Sequence, residues 1–105
     1  MKPTVYIVNR SYHDFDAVAP FGTPKFLSNG IMSRYGTNFM ARQFEEAMEG
    51  SLPSDYLVPC SLNVMNMIAA AIFVHKHGRL NLLLYKKGTY IERNLVFTKG
   101  DKDEL

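Results

Sequence analysis

The chain carries one cysteine, Cys60, and no tryptophan. A single thiol excludes an intrachain disulfide and the paired-cysteine zinc sets, and it suits a reducing compartment. Neither a glycine-rich phosphate loop nor an HExxH sequence occurs, which removes the common nucleotide-hydrolase and zinc-peptidase signatures. No cofactor and no metal is therefore expected. An excess of one charge is missing too. Twelve lysines and arginines stand against 10 aspartates and glutamates, and the resulting +2 is too small and too scattered for a stripe that grips duplex nucleic acid. No apolar run approaches the ~20 residues that span a bilayer, and the one at residues 5–8 is too short for a secretory leader. Without a leader, the terminal Lys102, Asp103, Glu104 and Leu105 read as a chance match to the endoplasmic-reticulum retrieval signal, and the Asn9, Arg10, Ser11 sequon is set aside. A cytoplasmic chain without a membrane segment is the expectation.

What is present is enough apolar material for a core. Hydrophobic residues make up 47% against 21% charged, which argues for a globular chain and against disorder. At 105 residues it is expected to be one domain, residues 1–105, with a charged tail at 99–105. Residues 55–85 organise it: a buried strand (56–58), a polar corner (Pro59, Cys60, Ser61), an apolar helix and a second buried strand (80–85). The helix is apolar nearly all round from Leu62 to Val74, which predicts that other elements enclose it. Ser61 is expected to cap its first turn and Gly78 to close it.

Before that stretch, residues 4–8 form a β-branched and aromatic run that predicts an interior first strand. Residues 10–24 show no period and read as a loop with one helical turn within 14–19. A second short strand is expected at 25–28. Thr37 or Asn38 then caps a helix whose apolar face is Met40, Phe44, Ala47 and Met48, with Gly50 as its stop. After Tyr85, the residues Lys86, Lys87 and Gly88 predict a hairpin turn into a last strand over 89–97, one side of it wet. The fold class is α/β. It is a small sandwich whose five-stranded mixed sheet and two main helices follow the order β-β-α-β-α-β-β, the fifth strand antiparallel at an edge. Phe39, Tyr90 and Phe97 are expected at the surface of a domain too small to bury them, which predicts a homo-oligomer.

Ligands of open α/β sheets bind beyond the carboxyl ends of the strands, where a following helix offers free N–H groups. Three segments converge there. Residues 9–14 supply Asn9, Arg10, Ser11 and His13; residues 28–34 supply Ser28, Asn29 and Arg34; residues 59–66 supply Ser61, Asn63 and Asn66. The two asparagines stand three apart on an apolar helix, so they either satisfy buried backbone or line a pocket. Arg10 or Arg34 is suited to a phosphate, and Tyr12, Phe15 or Tyr35 to stacking on a base. His75 and His77 lack the spacing for a shared metal, and the helix C-terminus accounts for them. Cys60 reads as a packing residue at a strand-to-helix corner. No catalytic set is recognisable.

The motifs YIVNRSYHDF (6–15), DYL (55–57), SLNVMN (61–66) and HGRLNLLLY (77–85) make the chain similar to a family of short proteins of tailed bacteriophages. That resemblance implies a viral protein acting in the host cytoplasm. The element order also resembles that of the viral ring nucleases that disarm type III CRISPR signalling. Those are dimers holding a cyclic oligoadenylate over the corner between the third strand and its helix, with a catalytic histidine there. Here the corner is Pro59, Cys60, Ser61, which departs from that pattern. Three functions follow as expectations: binding and sequestering a cyclic-nucleotide or other phosphate-bearing signal, inhibiting a host enzyme or polymerase by protein contact, and cleaving a cyclic oligonucleotide as a phosphodiesterase.

Overall fold

Alternation in the first strand sets up two cores, because successive side chains of a strand point to opposite faces. In the computed structural model, which describes residues 2–10, 13–31 and 33–97, β1 (Thr4–Ile7) sends Tyr6 to one side and Val5 and Ile7 to the other. Around it lie β2 (Thr23–Phe26), β3 (Tyr56–Val58), β4 (Arg79–Lys86) and β5 (Thr89–Val96), in the sheet order β2-β1-β3-β4-β5. The first four strands run parallel and β5 returns antiparallel to β4. This is the mixed α/β sheet and element order that the pattern predicts. The tail at 99–105, including the retrieval-like tetrapeptide, lies outside the described residues.

Both helices lie on one face. α1 (Thr37–Ala47) contributes Met40 and Phe44, with Met48 just beyond it. α2 (Asn63–His77) contributes Met65, Ala69 and Phe73, and all six meet Tyr6, Val8, Leu57 and Leu80 of the sheet side. On the opposite face Val5, Ile7, Val58, Leu83 and Tyr90 are covered by the segment around a 3₁₀ turn at Asp16–Val18, through Phe15, Val18 and Phe21. The helical turn expected within 14–19 is this one.

Several local expectations are corrected. α2 is not enclosed on all sides: Met67 is 69% exposed and Ala71 also faces out. The reason is that α1 lies beside α2 rather than across it, so no layer covers the outer side. The second strand begins at Thr23, two residues early, and contains Pro24; an edge strand tolerates a missing donor that an interior one would not. Neither Thr37 nor Asn38 caps α1, whose N-cap is Gly36, and the helix ends at Ala47 before Gly50. Its last carbonyl accepts instead from Lys25 Nζ of β2 at 2.7 Å. Tyr90 is buried, whereas Phe39 and Phe97 are exposed as expected. Beyond Ile91, β5 is exposed on both faces, with none of the described residues burying either side.

The turn chemistry does follow the sequence. Lys87 (φ 50°) and Gly88 (φ 86°) both adopt positive φ between Lys86 and Thr89, a two-residue type I′ turn that matches the twist of the strands. Gly78 closes α2 at φ 69°, its N–H bonded to Val74 O. His77 behaves differently from the helix-dipole expectation. Its Nε2 lies 2.8 Å from Ser51 Oγ and its ring packs on the edge of Phe73 at 4.7 Å. Burial and neighbouring Lys76 hold its pKa below the usual histidine value, against a weaker opposite pull from Asp55.

Candidate functional site

The chain leaves β1 for β2 on one side, then returns through α1 to β3 on the other side of β1. Strands that diverge in this way leave a crevice past their carboxyl ends. Asn9 follows β1 there, and Pro59, Cys60 and Ser61 follow β3. Side chains close the gap between the two strand ends. Asn9 Nδ2 donates to Ser61 Oγ at 3.1 Å and to Gly30 O at 2.9 Å, while its Oδ1 accepts from Ser28 Oγ at 2.8 Å. The Cys60 thiol sits between the backbone N and O of Asn9, 3.4 Å from each. Cys60 N–H in turn donates to Asn66 Oδ1 at 2.9 Å.

Ser61 occupies the centre with φ 64°, a left-handed conformation that costs a non-glycine residue energy and is kept only where the surroundings fix it. It does not cap α2, correcting the expectation. The N-cap position is Leu62, and no side chain caps the helix. Asn63 and Val64, the first residues of this uncapped helix, line a hollow of about 380 Å³ together with Arg34, Tyr35, Ser61 and Leu62. On the other side of Ser61 lies a second hollow of about 430 Å³, lined by His13, Phe15, Cys60, Tyr85 and Tyr90 among others. Tyr85 and Tyr90 meet edge to face at 5.4 Å. Both volumes are in the range of small-ligand sites.

The candidate residues separate into groups. His13, Arg34, Ser61 and Asn63 line the two hollows at the strand ends. Asn9, Ser28 and Asn66 are the lattice beneath them: both amide atoms of Asn9, the Ser28 hydroxyl and the Asn66 Oδ1 are bonded to protein. So the two asparagines of α2 divide: Asn66 satisfies backbone, and Asn63 is exposed. Arg10 is stacked over the Phe26 ring at 3.9 Å in a hollow of about 600 Å³ near Lys2 and Asp16, which adjoins the tyrosine-lined hollow through His13, Asp14 and Phe15 but does not reach Ser61. Asn29 is exposed and pairs by backbone with Arg10. Ser11 and Tyr12 lie outside the described residues. The tyrosine pair was absent from the candidates, although a signal for it existed: a two-residue turn at Lys87 and Gly88 makes Tyr85 and Tyr90 direct cross-strand partners.

Burial raises the Cys60 pKa, and hydrogen bonds from Asn9, Ser61 and Val8 offset it only in part, so the sulfur remains a thiol. Burial likewise raises Tyr90, with smaller contributions from Cys60, Tyr85 and Asp14. Among the described residues no group of three or more His, Cys, Asp or Glu is placed to hold a metal ion. Among them too, no helix is long and apolar enough to cross a membrane. No protein-family model matches the chain, and no curated protein or solved structure matches it either.

Proposed function

We propose that the protein binds a phosphate-bearing small molecule of the cyclic-nucleotide type at the ends of β1 and β3 and holds it without cleaving it. The observation that carries this reading is the pair of hollows meeting at Ser61. One is walled by Phe15, Tyr85 and Tyr90; in the other Arg34 meets the uncapped start of α2. A nucleotide has a flat π-face and an anionic part, and aromatic rings and an arginine beside an uncapped helix start are the respective partners. Sequestration is favoured over phosphodiesterase chemistry because burial keeps the Cys60 sulfur a thiol and no histidine stands at 59–61; His13, the one histidine lining the hollow, comes from the segment after β1 rather than from this corner. The proposal extends to an anti-defence role in a host cytoplasm, with the signal withdrawn from its receptor; the motif resemblance to short tailed-phage proteins suggests the setting and is silent about the activity.

A second reading has its own observation. Ile31, Tyr35 and Phe39 are all exposed, Tyr35 in the hollow beside Arg34, and such residues suit docking on a host enzyme or polymerase. Calorimetry with mononucleotides, cyclic dinucleotides and cyclic oligonucleotides separates the two. Binding of a cyclic member, weakened by salt and recovered unchanged after long incubation, is the expected result. Absence of heat across the whole panel rejects the ligand reading, and appearance of linear product rejects sequestration.

A further inference from the structure

The two edges of the sheet are treated differently. β2 is four residues long and carries Pro24 and Lys25, both devices that discourage another strand from adding. β5 has no proline and no lysine, and its two charges, Glu92 and Arg93, are confined to its middle. It runs eight residues without proline, and its register against β4 is unbroken by a bulge from Lys86–Thr89 to Arg79–Val96. Leu95, Val96 and Phe97 are 41, 65 and 51% exposed at its end, so no described residue covers them.

The direction of its free backbone groups can be read from one bond. Phe97 N–H donates to Gly78 O at 2.9 Å, so Phe97 faces β4. Alternation then turns the N–H and C=O of Tyr90, Glu92, Asn94 and Val96 away from the sheet. An incoming strand must bond to these four residues.

We infer that the partner at this edge is a second copy of the chain, with β5 pairing antiparallel to β5 about a two-fold axis at Arg93. The strand is self-complementary about that residue. Apolar Tyr90 and Ile91 precede the polar Glu92, Arg93 and Asn94, and apolar Leu95 and Val96 follow. Pairing about Arg93 sets Ile91 against the partner's Leu95, Tyr90 against the partner's Val96, and Glu92 against the partner's Asn94. Outward-facing residues then meet outward-facing residues, as antiparallel bonding requires. Shifting the axis to Glu92 opposes two glutamates and sets Ile91 against the partner's Arg93, so the hydrophobic pattern selects the first register. The two sheets become continuous, with the helices of both copies on one face. Tyr90, a wall of the tyrosine-lined hollow, then stands next to the seam. The inference stands independently of the proposed ligand.

One unfavourable contact remains at the axis, where Arg93 opposes the partner's Arg93, and it supplies a sharp test. In sedimentation equilibrium the full chain is expected to be a dimer at micromolar concentration. Arg93→Thr should tighten it a few-fold by removing like charges directly opposite each other. Asn94→Pro removes an outward donor and no β4 bond, so it should give a monomer with an unchanged far-ultraviolet circular dichroism spectrum. Val96→Lys should also give a monomer, and it decides the matter if the proline variant fails to fold. Slow amide exchange at Tyr90, Glu92, Asn94 and Val96 in the native chain, fast in Val96→Lys, is the corresponding local readout. A native chain that stays monomeric at hundreds of micromolar overturns the inference. So does a dimer that survives Val96→Lys.

Discussion

Asn9 is the residue on which the corner depends, and Asn9→Ala measures how much. The side chain is 6% exposed and makes three hydrogen bonds, to Gly30 O, Ser61 Oγ and Ser28 Oγ. Two of those partners, Gly30 and Ser61, are exposed residues that water can serve after the change. Ser28 Oγ keeps Val8 O at 2.7 Å. No group is therefore stranded without a partner, and the loss is that of two full bonds and a share of the single Ser28 proton, at about 1 kcal/mol per bond, roughly 2–3 kcal/mol in all. Asn9→Asp keeps the shape but replaces the donor to Gly30 O by a carboxylate oxygen, so it should cost at least as much. The chain has no tryptophan, so urea unfolding is best followed by circular dichroism. The exposed Asn63→Ala, expected within about 0.5 kcal/mol of the native chain, is the control. A loss at Asn9 as small as that at Asn63 would refute the reasoning that side-chain bonds hold the β1 and β3 ends together.

Three further outcomes follow from single positions. Ser61→Gly and Ser61→Ala both remove the hydroxyl that accepts from Asn9, but only glycine relieves φ 64°, so the glycine variant should be the more stable by about 1 kcal/mol; equal stabilities would mean the conformation carries no strain. With its folded pKa below the unfolded value of 6.5, His77 is protonated more readily when unfolded, so stability should decline as pH falls below about 6.5. His77→Gln should flatten that decline, and an unaltered slope would assign it to other groups. At Gly22 an added Cβ would overlap the Pro3 carbonyl, so Gly22→Ala should destabilise by about 1–3 kcal/mol, and a melting temperature equal to the native one would contradict so close an approach.

Strand and helix order were legible because period and punctuation agreed: alternating or continuous apolar runs bounded by Asn9, Pro59, Gly78 and Gly88. Layering was less so. The all-round apolar character of α2 reads as enclosure, yet periodicity along one element says nothing about where the next helix lies, and α1 took the same face. Caps failed for a related reason. Ser61 has the chemistry of an N-cap, but its hydroxyl is taken by Asn9, a residue 52 positions away in sequence. In the same way nothing local distinguishes Arg10 from Arg34. Phe26, across the β1–β2 pair, draws the first away from the corner and leaves the second beside α2. Contacts set by the sheet topology are invisible to spacing, except where a short turn fixes the register, as it does for Tyr85 and Tyr90.

The most direct test of the ligand site is an amide-resolved titration of the native chain and of Arg34→Ala with a cyclic dinucleotide or cyclic oligonucleotide identified by calorimetry. Saturable shifts should concentrate at Ser61, Asn63 and Val64 and at Tyr85 and Tyr90. The affinity of Arg34→Ala should fall by about 1.5–3 kcal/mol, the worth of a charged hydrogen bond, with the spectrum of the free protein preserved. Shifts confined to the groove between the helices, around Glu45, Glu49 and His75, or an affinity indifferent to Arg34, would contradict the account.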